Sequence, residues 1–428
     1  MKKLHFLTFL IFLIIVSENL SAQSNKRWNF NECLTYALSN NIDVKSAGAS
    51  VRSSLEDLKQ AKETMFPSLS FSSSQNVSNS SYSGTYSFNS GITIYKGKTI
   101  SNNIKLKENA NSSSQYSEEE TKNNITLSVT QAFLDIIYAN ETLQISQESV
   151  SLSESQLSRA KAFLEAGSIS QVDLAQFESQ LGSDKYQLTL ATTNLAKTKL
   201  ALKQLLELGI SDDFDVEVPE ITELEALQTV PSVTEVYSRA LSVMPQIAKS
   251  KLSITDAKLN ESIAKAASLP QVSASASLGT SSRSGSTDSF TEQLNNSLSR
   301  NIGLTLSIPI YNNRSAKTQI NKSKIETEIA VLNDQNTAKQ LLSTIEDLYQ
   351  QAISAQSKFI ASSEKLKYYT KSFNLINEQF NSGMKNTVEL MTERKNYLSA
   401  KQEMISSKLE AAGAVKMLKF YCNSPIEF

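Results

Sequence analysis

The sequence is poor in the side chains that do chemistry. Its only histidine is His5, inside a segment expected to be removed, so the remaining chain has no imidazole for proton transfer or metal binding. Two cysteines, Cys33 and Cys422, are too few for a metal site. They could form one disulfide in an oxidising compartment or remain two separate buried thiols. There is no nucleophile elbow and no phosphate-binding glycine loop. These absences argue against an enzyme, and no catalytic residue, metal or cofactor is expected. Charge of either sign is not in excess: 42 basic and 43 acidic residues leave a net charge of −1, which gives no footing for nucleic acid. Long apolar runs are missing as well. The best candidate, Leu4 to Val16, is short for a membrane helix of about 20 residues. With Lys2 and Lys3 before it and Leu20-Ser21-Ala22 after it, it reads as a signal peptide over residues 1–22, cleaved before Gln23. The alternative is an uncleaved anchor. No cysteine follows the cleavage point, so a lipid-anchored terminus is not expected.

What the sequence does have is repetition. Val129, Ile136, Leu143, Val150, Leu157 and Leu164 recur every seventh residue, and Leu174, Leu181, Leu188, Leu195 and Leu202 do so after Ala166-Gly167-Ser168. A seven-residue apolar repeat keeps one seam aligned when helices supercoil left-handedly, and glycine suits the reversal between them. Residues of about 104–208 are therefore predicted to form a long antiparallel helical hairpin. Adding 216 to each number reaches Ile345, Ala352, Phe359, Leu366, Phe373 and Phe380, then Gly383, then Leu390, Tyr397, Met404, Ala411 and Leu418. Every seam position stays apolar and the glycine falls on a glycine, so the hairpin is duplicated, the second copy at about 315–420.

Each hairpin is preceded by shorter elements. Residues 31–40 and 42–66 read as helices, the second stopped by Pro67. Then the period becomes two. Pro67, Leu69 and Phe71 alternate with serines, and after a polar loop Tyr86, Phe88, Ile92 and Ile94 alternate with Ser87, Asn89, Gly91 and Thr93, which predicts a β-hairpin over about 67–96. An offset of 203 aligns Pro270 with Pro67, and a second β-hairpin follows over about 270–311, with Val272, Ala274, Ala276 and Leu278 on one face and Ile302, Leu304, Leu306, Ile308 and Ile310 beside them. The offset grows by 13 residues, placed in the Ser/Asn-rich loop of 280–299. The first repeat thus covers 23–208 and the second 232–428. Between them, residues 209–231 carry seven acidic residues and no Lys or Arg. They read as a solvated linker or, alternatively, a small acidic interaction site.

Lengths constrain the assembly. The outgoing helix spans roughly 90 Å, while its return helix and the helix of 42–66 span about 57 and 38 Å, so each long helix should be flanked by two shorter ones stacked end to end. Strands of about ten residues suit a tilted membrane barrel. Four strands cannot close, and open edges are not tolerated in lipid. Two chains would give a barrel filled by its own side chains. Three would give twelve strands and a lumen lined by serine and threonine.

Tyr36-Ala37-Leu38-Ser39-Asn40-Asn41, Phe66-Pro67-Ser68-Leu69-Ser70, Leu306-Ser307-Ile308-Pro309-Ile310-Tyr311-Asn312-Asn313-Arg314, and the paired turns Gly167…Val172-Asp173-Leu174 and Gly383…Val388-Glu389-Leu390 resemble the TolC family of outer-membrane efflux proteins over nearly the whole mature chain. The resemblance implies a homotrimeric tube, with a 12-stranded β-barrel in outer-membrane lipid and an α-helical barrel across the periplasm. It implies hairpin tips that close like an iris and meet a periplasmic membrane-fusion adaptor, itself coupled to an inner-membrane RND pump or ABC transporter. By the same resemblance Asp173 and Glu389 match gate and aperture acids, and Lys385 a basic gate residue. Phe380 stands where the family has tyrosine, and Thr392 where it has a second acid. Gly167, Ser168, Val172, Gly383, Met384 and Val388 fall at the turns that contact the adaptor. The residues also admit plainer readings: Phe380 lies on the apolar seam, and Asp173 and Glu389 start helices whose dipoles favour carboxylates. An export duct accounts for both helices and strands. A structural or receptor-like coiled-coil envelope protein would leave the four strands without a purpose.

Overall fold

The computed structural model describes residues 27–79 and 81–428; the expected signal peptide lies outside them. A two-residue strand β1 (Arg27–Trp28) leads into helices α1 (Phe30–Asn40) and α2 (Ile42–Glu63). Strands β2 (Ser68–Ser78) and β3 (Ser81–Lys96) follow, then the helices α3 (Thr99–Glu165) and α4 (Gln171–Leu205). The waist holds β4 (Asp215–Val216) and the single-turn α5 (Glu223–Ala226). The second copy runs α6 (Val233–Val243), α7 (Pro245–Ala266), β5 (Gln271–Arg283), a short α8 (Phe290–Asn296), β6 (Ser299–Ser307), α9 (Ser315–Asn381) and α10 (Thr387–Tyr421). The long helix, its return helix and the preceding helix have 67, 35 and 22 residues in both copies.

The expected stacking is present. Both α2 and α4 pack along α3, and α7 and α10 along α9. The junction is sealed where α4 ends and α2 begins: the Asn41 amide donates to Leu205 O at 3.2 Å while its oxygen caps α2 by accepting from Asp43 N at 2.9 Å. Each hairpin turns on a left-handed glycine, Gly167 at φ +71° and Gly383 at φ +73°. Among the described residues no helix is long and apolar enough to cross a membrane.

The first long helix begins at Thr99, five residues ahead of the 104 expected from hydropathy, because it starts directly at the end of β3; the second begins at Ser315, as expected, after a short segment beyond β6. Gly97-Lys98 and Asn313-Arg314 are consecutive left-handed pairs, at φ 51°, 66°, 50° and 65°. A Cβ on Gly97 would lie 2.8 Å from Ala266 Cβ and 3.1 Å from Ala266 Cα, against backbone that has little room to move. Gly97→Ala is therefore expected to destabilise by on the order of 3 kcal/mol, combining left-handed strain with overpacking. Gly167→Ala, with nothing within 4 Å of the new methyl, carries only the strain. Urea unfolding followed by helical circular dichroism separates the two, and equal midpoints for them would overturn this account.

The four long strands form one antiparallel sheet in the order β2-β3-β5-β6. Its register corrects the expected polar loop of the first hairpin. Pairing continues from Ser68↔Gly91 to Ser78↔Ser81, so that stretch is strand up to Ser78 and again from Ser81; the register of the neighbouring strands, not apolar alternation, holds it there. A bulge between Thr93 and Tyr95 lets Tyr95 take the face that Ile92 occupies, displacing Ile94 from it. β6 stops at Ser307, so Ile308 and Ile310 lie beyond the strand, where Pro309 has no N–H to give. Within the inserted loop α8 is capped by Ser289 and Glu292 and tied to β5 through Thr280 Oγ1, which donates to Leu294 O at 2.6 Å.

The acidic stretch of 209–231 is not simply solvated. β4 pairs in parallel with β1, and Val216, Ile221 and Ala226 are buried. Asp215 holds Lys199 at 2.6 Å and Arg27 at 3.2 Å, and Glu225 pairs with Lys416 at 3.4 Å, so two of its acids are neutralised by neighbours while its apolar residues fill the waist. The chain end joins the same core: the Phe428 ring lies 4.7 Å from Phe30 and 5.2 Å from Phe133. Cys33 and Cys422 are both free thiols, in different core clusters. Burial pushes the Cys33 thiol up to about 12.

Candidate functional site

Three surfaces could carry function: the hairpin tips, the contact between hairpins above them, and the two faces of the sheet. At the tips, Asp173 and Glu389 occupy the same position in matching capping boxes. The Asp173 carboxylate accepts from Ser170 N at 3.0 Å and Ser170 Oγ at 2.7 Å. The Ser170 hydroxyl and backbone, with the Thr387 hydroxyl of the other hairpin, hold that carboxyl below its usual range. Glu389 accepts from Lys385 Nζ at 2.6 Å and from Asn386 N at 3.2 Å, and the Lys385 contact chiefly lowers its pKa. Both acids thus first satisfy free N–H groups at their own helix starts, and Asp173 lines one cavity with Thr387 of the other hairpin.

A cavity of about 400 Å³ lies between the two tips, with Ser168, Asp173, Phe380, Gly383, Lys385 and Thr387 in its lining. Thr392 is not part of it; its hydroxyl donates to Val388 O at 2.8 Å on its own helix. Val172, Met384 and Val388 are exposed on the outside of the turns. Phe380 is buried, 5.8 Å from the Phe177 ring and 6.0 Å from Phe163, packed as core between the hairpins.

The contact above the tips was not foreseen. Arg394 of α10 donates to Asp184 of α4 at 2.6 Å, with side chains 2% and 8% exposed. The same guanidinium nitrogen donates to Ser149 O at 2.9 Å and Ser149 Oγ at 2.8 Å on α3. Asp184 accepts further bonds from Ser153 Oγ and, at 3.0 Å, from Gln180 Nε2. A buried ion pair therefore ties the first hairpin to the second. It also explains why Leu181 and Leu188 of the expected seam are only half-buried while Phe177, Asp184 and Ala191 are buried: the return helix buries a second face, against the other hairpin. The spacing of seven from Phe177 through Asp184 to Ala191 was the available signal, overlooked because its middle member is charged.

The sheet has two unlike faces. Register places Phe71, Phe88, Leu278 and Arg300 in one row, and Ile92, Ala274 and Leu304 in another, with Leu69, Val272, Ile302 and Leu306 on the same side. On the other side stand Ser70, Ser72, Asn89, Ser273, Ser275, Ser277, Gly303 and Thr305. Tyr82 and Tyr86 lie at the far end of the apolar face, Tyr95 at the end nearest the helices, with exposed Phe66 and Tyr311 just beyond the strands. An apolar band between aromatic girdles, backed by a hydroxyl-lined face, is the wall of a membrane channel.

A sheet of this kind carried on paired helical hairpins defines an outer-membrane channel protein with a long helical extension. The family model described as "Outer membrane efflux protein" matches residues 34–207 and 236–424, and the chain belongs to that family. It is 20% identical over 383 residues to the outer membrane efflux protein BepC of Brucella suis, covering 88% of this chain and 81% of that protein. It is also 20% identical over 398 residues to the toxin and drug export protein A of Aggregatibacter actinomycetemcomitans, covering 90% and 84%. Among solved structures, CusC superposes with a TM-score of 0.78 at 16% identity over 94% of this chain and 95% of that one. The outer membrane protein VceC of Vibrio cholerae gives 0.78 at 14% over 93% and 97%. The protein is an efflux channel of the outer membrane, a transport protein and not an enzyme.

Proposed function

We propose that three copies of this chain assemble into a continuous duct that serves a tripartite efflux or type I secretion system. The observation that carries this reading is the open sheet: β2 and β6 each pair on one side only, and a lipid-embedded sheet must close. Twelve strands from three chains close it and leave the serine and threonine face around a lumen. Residues 1–22 would direct export and be removed. The exposed turn residues Val172, Met384 and Val388 suit docking of a periplasmic adaptor, through which an RND pump or ABC transporter would deliver cargo. Related proteins are named for export of toxins and drugs, toluene and pyoverdine; a wall of hydroxyls favours passage over recognition, so the pump would choose the cargo. Native mass spectrometry of the detergent-extracted protein tests the assembly. A trimer mass is expected, and a stable membrane-inserted monomer or dimer would overturn it.

The tips would form the gate. Asp173 faces the second hairpin at Thr387 across the cavity between the tips, and Lys385 restrains Glu389. Removing both restraints in Asp173→Ala/Lys385→Ala is expected to raise single-channel conductance in planar bilayers. Glu389→Ala alone, which removes one acid per chain near the mouth, should chiefly weaken cation preference. Conductance of the double variant equal to wild type would place the gate elsewhere.

A further inference from the structure

The apolar face of the sheet is not evenly filled. Between Leu69, Phe88, Leu278 and Ile302 lie only the small side chains of Ser90 and Ala276, leaving an open groove of about 240 Å³. At its rim stands Arg300, directly opposite Leu278 in the β5–β6 register. Arg300 lies eight residues before Ile308 along the chain, near the end of the band that carries Tyr82 and Tyr86 and farthest from the helices. No acidic side chain lines the groove, and Arg300 makes no ion pair among the described residues. A cation facing hydrocarbon is costly at mid-depth but is accommodated at the interface, where it meets charged headgroups.

We propose that this groove binds a phosphorylated lipid of the outer leaflet, with an acyl chain over Ser90 and Ala276 and a phosphate on Arg300. Two features choose this occupant. The trough is apolar and walled by Phe88, Leu278 and Ile302, which suits a chain and not a sugar. Its single charged residue is positive and stands one register row from Tyr86 on this face, at the border of the apolar band, which suits an anion. The site sits within the four strands of one chain, so it needs no contribution from a neighbouring copy. It rests on the placement of this face in outer-membrane lipid, and adds to it a defined binding position.

Native mass spectrometry of the full-length protein in detergent, titrated with bisphosphorylated lipid A and with the same lipid stripped of phosphate, tests the proposal. The phosphorylated form should bind more tightly. Arg300→Gln should weaken it roughly fivefold, the scale for one basic residue at a membrane surface, and Arg300→Lys should retain most of it. Ala276→Phe, which fills the trough, should weaken both lipids. Arg283→Gln, on the opposite face of the sheet by its pairing with Ser83, should change neither. Equal binding of the two lipids, wild-type affinity in Arg300→Gln, or an equal loss in Arg283→Gln overturns the proposal. The same spectra report the oligomer, so a lost lipid site is distinguished from a lost assembly.

Discussion

Arg394→Ala is expected to be among the most damaging single substitutions in the helical region, costing about 3–5 kcal/mol, the range for leaving half of a buried ion pair uncompensated. Asp184 would keep Ser153 and Gln180 as donors but lose its counter-charge, and Ser149 O would lose a donor. The size of the effect comes from burial: an exposed pair of the same length contributes little, because water and salt already screen it. Asp184→Asn should cost less, since an amide oxygen can still accept from the guanidinium. The double replacement Arg394→Met/Asp184→Leu should recover most of the loss, because apolar residues of similar volume carry no desolvation penalty. Urea unfolding midpoints of the wild type and these three variants check this. An Arg394→Ala midpoint equal to wild type would show that the hairpins are held by apolar packing alone.

The second large effect concerns the sheet, where adjacent residues should behave in opposite ways. Leu304 pairs with Ala274 on the apolar face, and Thr305 pairs with Ser273 on the polar one. Leu304→Lys places an ammonium in hydrocarbon near the middle of the strand and should destabilise the barrel by about 2–4 kcal/mol per chain. Little folded protein should then reach the outer membrane. Thr305→Lys turns the same charge into the lumen, where water solvates it; assembly should be normal and ion selectivity should shift toward anions. Membrane fractionation followed by bilayer recording separates these outcomes. Normal insertion of Leu304→Lys with failure of Thr305→Lys would mean that the two faces are reversed.

Much of this architecture was legible in the residue pattern. The seven-residue seam from Ile345 to Phe380 and the turn at Gly383 place the second hairpin directly, and Ile345, Ala352, Phe359, Phe373 and Phe380 are all buried. Such a seam is a local property, visible to hydropathy alone. Features set by pairing across distance were not legible. The strand residues Ser73 to Ser78 have no sustained apolar alternation because they run past the apolar band, and only their partners in β3 define them as strand. The acidic waist looked solvated because its seven acids have no Lys or Arg beside them in the chain, yet its apolar members Val216, Ile221 and Ala226 pack. At the tips, the carboxylates of Asp173 and Glu389 follow from helix-start chemistry, while the placing of Thr387 opposite Asp173 in one cavity does not. The ion pair of Arg394 and Asp184 joins residues 210 apart in the chain, and no local signal reports a partner so remote.

The direct junction of strand and helix has a mechanical consequence. A rod of 67 residues, roughly 100 Å long at 1.5 Å per residue, that is fixed at one end by a two-residue corner is a cantilever. A rotation of one degree at Gly97-Lys98 displaces the far end by about 2 Å over that length. The bonds of Arg394 to Asp184 and to Ser149 of α3 tie the second hairpin to the first, so the two deflect together. The corner at Gly97-Lys98 is thus a fulcrum of the molecule: an angular change too small to disturb the barrel arrives at the opposite end as a displacement larger than the radius of a water molecule.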